Sequence, residues 1–177
     1  MSNLERYYND SDVTYLKHHK VLKFKMSIEE LSAFLGICVS IFKDTKISSV
    51  DFCFHIACIK NSLIDIVNGL DIYQSTGRIS EKAHVFFGFE HIGKLDSLKS
   101  VYDGKRKRLR GISNTLGTYL EYAYCLCKKS ESKFWSLDGP INTIIGDYLH
   151  QLSCFLEYLR CLFSQPVLSE IIEGIDN

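Results

Sequence analysis

Proline is nearly absent from this chain, with two residues in 177, and alanine is almost as scarce, at Ala33, Ala57, Ala83 and Ala123. No repeat, low-complexity tract or linker is visible, so the whole length, 1–177, is expected to form one domain. Scarce alanine means that any helices are held by packing more than by intrinsic propensity. Net charge is absent too: 21 basic and 21 acidic residues cancel. That removes whole-molecule attraction to nucleic acid or an anionic membrane and leaves such work to local patches.

Long apolar runs are missing as well. The most continuous one, Leu31–Phe42, is interrupted by Ser32, Gly36 and Ser40 and falls well short of the roughly 20 residues a membrane span needs. Met1–Leu16 is polar and mixed in charge, without the basic start and apolar stretch of a secretory leader. No membrane association and a cytoplasmic location are therefore expected. Cysteine is present in an odd number, seven, and most of these residues fall inside apolar helical patterns; this suits reduced thiols better than a disulfide framework.

What the chain does have is helical periodicity. From Pro140 to Phe163, apolar residues including Ile145, Tyr148, Leu149, Leu152, Phe155, Leu156, Leu159 and Phe163 recur at spacings of three and four, the stripe of an amphipathic helix. Ser27 and Glu30 form a capping-box pattern ahead of Ile28, Leu31, Phe34, Leu35, Cys38, Ile41 and Phe42. Ser48 opens a third segment that is apolar on most sides, as expected of the central member of a bundle. The expected architecture is an all-α, single-domain bundle of about five helices with mostly antiparallel neighbours. The helices are placed at about Ser27–Lys43, Ser49–Ile72, Ser80–Tyr102, Ile112–Lys129 and Pro140–Ser164. Residues 1–26 are an extended lead-in, a loop from Ser130 to Gly139 holds the single tryptophan, Trp135, and 165–177 form a short tail.

Catalytic signatures are few. Gly88, Gly93 and Lys94 reproduce the spacing of a phosphate-binding loop, but Leu95 stands where Ser or Thr must ligate magnesium. Asp147, His150, Cys154, Glu157 and Cys161 place metal-capable groups along one helix, yet a site needs donors converging from at least two helices. No cofactor and no metal are expected. There is no G-x-S-x-G elbow, and no cysteine stands in the polar setting of an activated thiol.

Arg78 and His84, with five residues between them, give a pattern that resembles the R-x4-6-H signature of the HEPN family of all-α domains. The resemblance implies ribonuclease activity, with the arginine and histidine meeting their copies across a dimer. Ile79 departs from the polar residue usual after the arginine. The strongest charge feature is Lys105, Arg106, Lys107, Arg108 and Arg110, a patch suited to phosphate backbone or to an acidic protein surface.

With no reaction centre apparent, the favoured expectation is a non-enzymatic protein-binding module of adaptor, immunity or pathogen-factor type. It would act through its helical surface, with the basic run and Trp135 as the binding patch and another protein as partner. The alternative is a HEPN-like ribonuclease using Arg78 and His84, with RNA on the basic run. The oligomeric state is left open, a dimer being compatible with either reading.

Overall fold

The computed structural model describes residues 6–8, 14–16, 20–45, 51–76, 89–104, 113–137 and 143–164. The protein is an all-α bundle of five helices packed on one another: α1 (Lys20–Asp44), α2 (Phe52–Thr76), α3 (Phe89–Gly104), α4 (Asn114–Trp135) and α5 (Thr143–Ser164). Ahead of it lies a small antiparallel hairpin of β1 (Arg6–Tyr8) and β2 (Thr14–Leu16), in register Arg6–Leu16, Tyr7–Tyr15 and Tyr8–Thr14.

Helix α5 is the centre of the bundle. Its residues Tyr148, Leu149, Leu152, Phe155, Leu156, Leu159 and Phe163 are all buried, and it packs chiefly against α4, with α3 on another side. Helix α4 in turn packs on α1, and α1 on α2. The α4–α5 seam is closed by small residues at both ends. A Cβ on Gly117 would lie 2.9 Å from Ser164 Cβ, and one on Gly146 would lie 2.8 Å from Phe134 Cε1 and closer still to the Trp135 ring. Midway along, the Cys127 thiol donates to the Leu149 carbonyl (3.3 Å). Where the start of α4 meets the end of α5, the Ser113 amide donates to the Phe163 carbonyl (3.3 Å), while the Ser113 hydroxyl caps α4 by accepting from the Leu116 amide (3.1 Å).

Aromatic rings fill the other seams. Phe42 of α1 stacks on Phe52 of α2 at 4.5 Å, and Phe163 of α5 meets Phe52 edge-on at 6.0 Å, pairs worth about 0.5–1.5 kcal/mol each beyond their buried area. Polar ties hold α3. The His55 ring and the Tyr102 hydroxyl hydrogen-bond at 3.2 Å, His91 Nε2 meets Asp65 Oδ2 at 3.3 Å, and Tyr158 donates to Asp103 at 2.7 Å.

Three expectations are corrected. Helix α1 begins at Lys20, so Leu22, Phe24 and Met26 lie within it and the extended lead-in does not reach residue 26. Phe24 continues the Ile28, Leu31, Leu35 stripe one turn upstream, and Ser27 is no cap: it is buried and donates to the Phe24 carbonyl (2.7 Å). Helix α4 runs on through Trp135 where a loop was expected, because Ser130 and Phe134 continue its buried face. And α2 is not central: Phe54 and Ile64 on it are 66% and 49% exposed. The expected first turns of the third and last helices, at Ser80–Gly88 and Pro140–Asn142, and the 165–177 tail lie outside the described residues.

Gly146→Ala tests the seam, because the sign of its effect is reversed by packing. In an open helix alanine gains about 1 kcal/mol over glycine; here the added methyl group overlaps two rings and costs about 1–3 kcal/mol. Urea unfolding is expected to show the loss, and the fluorescence of the single tryptophan, Trp135, to change with it.

Candidate interaction surface

Helix α1 turns one stripe to the core and leaves another outward. The outward stripe carries Met26 (51% exposed), Ala33 and Ile37 (46% exposed), with Ile64 of α2 across a furrow from it. The furrow is an open groove of about 320 Å³ between α1 and α2. Ile28, Leu63 and Val67 form its floor, Glu29, Ser32 and Ala33 its α1 wall, and Lys60 and Ile64 its α2 wall. Lys60 reaches across it, its Nζ 3.5 Å from where a Gly36 Cβ would stand; a side chain at position 36 would narrow the groove. The groove is therefore apolar along its floor, with one carboxylate and one ammonium on opposite walls.

On its other flank α1 meets α4 through an aromatic seam. Phe34 stacks on Tyr119 at 5.8 Å and tilts against Tyr122 at 4.7 Å, and Tyr122 is half-exposed. Below this seam Lys129 pairs with Glu30 (3.1 Å), and Lys133 donates to the Lys23 carbonyl (3.1 Å). Burial, with Lys129 nearby, holds the Lys133 ammonium below its ordinary pKa. Apolar side chains thus continue from Ile64 over Ala33 and Ile37 to Phe34 and Tyr122, with charges at the rim. Contiguous exposed apolar surface rimmed by polar groups is the ordinary composition of a protein-recognition face.

Among the residues expected to form a site, Trp135 stands at the end of α4, 55% exposed, edge-on to Phe134 at 5.0 Å and against Gly146. Arg78, His84 and the run Lys105, Arg106, Lys107, Arg108 and Arg110 lie outside the described residues. Of the metal-capable set on α5, Glu157 pairs with Arg160 at 3.5 Å, and among the described residues no group of three or more His, Cys, Asp or Glu side chains is placed to hold a metal ion. Phe52, Ile56, Tyr148 and Leu152 are buried core, and none of them lines the α1–α2 groove.

One side-chain cluster depends on the register between two helices. His150 and Cys154, one turn apart on α5, are joined by Glu131 of α4, nineteen residues earlier in the chain. The seven cysteines are free thiols. Burial pushes the Cys38 thiol from an ordinary 9.0 up to about 12, and burial together with the neighbouring Glu131 raises Cys127 further.

The chain matches no protein-family model, and no curated protein sequence is similar to it. The functional reading therefore rests on the surface and its chemistry.

The two buried thiols set a pH dependence. Above pH 9 the unfolded chain has released protons that folded Cys38 and Cys127 retain, so stability falls as pH rises. The slope is about 1.4 kcal/mol per pH unit for each thiol until its folded pKa is reached. Urea midpoints measured in reductant at pH 8 and pH 10.5 are expected to drop accordingly, and a flat profile would contradict the burial of these thiols.

Proposed function

We propose that this protein is a protein-binding module that works through the outward face of α1 and the groove between α1 and α2. One observation carries the reading. Helix α2 is apolar on most sides, yet it lies at the edge of the bundle, so that Ile64, with Ala33 on the α1 wall of the groove, is left half-exposed over an apolar floor. A helix that is apolar all round is ordinarily buried; at an edge, the surplus apolar side is explained by a partner that covers it.

The groove suits an amphipathic helical segment presenting branched apolar side chains at helical spacing, with an acidic group meeting Lys60 and a basic one meeting Glu29. Free thiols, and the absence among the described residues of a helix able to cross a membrane, support a cytoplasmic setting. The adaptor, immunity and pathogen-factor roles share this mode of action. The basic run Lys105–Arg110 and Trp135 are kept as a second contact region for the same partner.

A photo-crosslinking residue placed at Ala33 is expected to capture one defined partner from the source cell. Ile37→Lys and Ile64→Lys are each expected to abolish capture while shifting stability by less than about 0.5 kcal/mol, as surface substitutions do. Val101→Lys, on exposed α3, should leave capture intact. Capture that survives both isoleucine variants would overturn the assignment. The rival HEPN-like reading has its own test: cleavage of structured or single-stranded RNA that is lost in both Arg78→Ala and His84→Ala would replace a binding role with an enzymatic one.

A further inference from the structure

We propose that Cys154 is a site of thiol–disulfide exchange, activated by His150, with Glu131 as the positioning residue. Cys154 is exposed on α5. Its sulfur lies 3.9 Å from His150 Nε2, and His150 Nδ1 lies 3.3 Å from Glu131 Oε1. Glu131 is only 12% exposed and is held from its other oxygen, Oε2, by Lys128 Nζ at 2.6 Å. A carboxylate fixed in this way keeps the Nδ1–H tautomer of the imidazole, which turns the Nε2 lone pair toward the thiol. Nucleophile, base and orienting acid thus stand in sequence, the arrangement that activates a weak nucleophile on unrelated folds.

The surroundings name the class of substrate. Cys154 borders a shallow notch of about 40 Å³ between α3 and α5, where Asp96, Lys99 and Gln151 stand around Leu95 and Phe155. A carboxylate and an ammonium one turn apart on α3 complement a small zwitterionic peptide disulfide, its ammonium toward Asp96 and its carboxylate toward Lys99. The notch is too small to enclose a disulfide, so the reacting S–S bond lies at the surface.

The exchange balances without a further reactant. The Cys154 proton passes to His150 Nε2, and the thiolate attacks one sulfur of the disulfide. A new Sγ–S bond forms as the old S–S bond breaks, and the departing thiolate takes the proton from the imidazolium. The products are a mixed disulfide on Cys154 and one free small thiol. Groups facing the thiol or its base are His150 on α5, Glu131, Lys128 and the Cys127 thiol on α4, and Asp96 and Lys99 on α3.

Cys125, the other exposed thiol, is the internal standard. The full chain is incubated with oxidised glutathione at neutral pH, and modification is followed at each cysteine by peptide mass. Cys154 is expected to react about tenfold or more faster than Cys125. His150→Gln is expected to remove that advantage, a loss of about tenfold or more at Cys154, while Cys125 is unchanged. Glu131→Gln should slow Cys154 selectively and Glu131→Asp should restore part of the rate, a rescue that a purely structural role of Glu131 would not give. Equal rates at the two cysteines, or a Cys154 rate indifferent to His150→Gln in a variant whose urea midpoint is unchanged, would overturn the proposal. His150 is 57% exposed, so its replacement leaves the core intact.

Discussion

The close approach of α4 and α5 is the constraint on which the rest of the structure depends. Gly117 and Gly146 carry no side chain at the two ends of the α4–α5 seam, and Ser164, Phe134 and Trp135 occupy the space released. With the helices that near, α5 is buried along most of its length and can present Phe155 to the Tyr102 ring of α3 and Phe163 to the rings of α1 and α2. Helix α1 is then placed by small polar residues: the buried Ser130 hydroxyl of α4 donates to the Ser27 carbonyl at 3.2 Å, which allows a near contact without an orphaned group. Helix α2, and with it the groove, is held by α1 together with the Phe163 ring of α5 and the polar ties to α3. The candidate surface is thus an outer face of a bundle arranged around the glycine-lined α4–α5 seam.

The same seam aligns the thiol site. Glu131 and His150 belong to different helices, and only tight antiparallel packing brings the carboxylate of one against the imidazole of the other. Lys128 on the opposite oxygen completes the ion cluster; its i,i+3 geometry is local to α4, so the cost of ordering it is small. The proposed recognition face and the proposed thiol site therefore share a scaffold, the first centred on α1–α2 and the second on α4–α5 with α3.

Much of this was legible in the sequence, and the exceptions have physical causes. Spacings of three and four identified all five helices, since one buried stripe per helix is what packing requires. The start of α1 was obscured because Leu22, Phe24 and Met26 alternate with lysines, a period-two pattern that a helix tolerates when lysine stems lie along its flank. The Ser27–Glu30 pair resembled a cap but sits one and a half turns or more inside the helix, where Ser27 bonds backward to a carbonyl. The expected end of the fourth helix at Lys129 falls on two adjacent cations, which favour helix C-termini, yet Lys128 and Lys129 each pair with a carboxylate, Glu131 and Glu30, and the helix runs on. The apolar excess of α2 was visible as well, but periodicity alone does not tell a central helix from an edge helix with a surface to cover. The Glu131 contribution was invisible because it depends on the register between two helices.

The most direct test of the central claim, that the outward α1–α2 face is the recognition surface, is hydrogen–deuterium exchange of the protein alone and bound to its captured partner. The account predicts added protection concentrated in residues 26–37 and 57–67, with α5 unchanged. Protection confined to 78–84 or 105–110, with α1 and α2 exchanging as in the free protein, would contradict it.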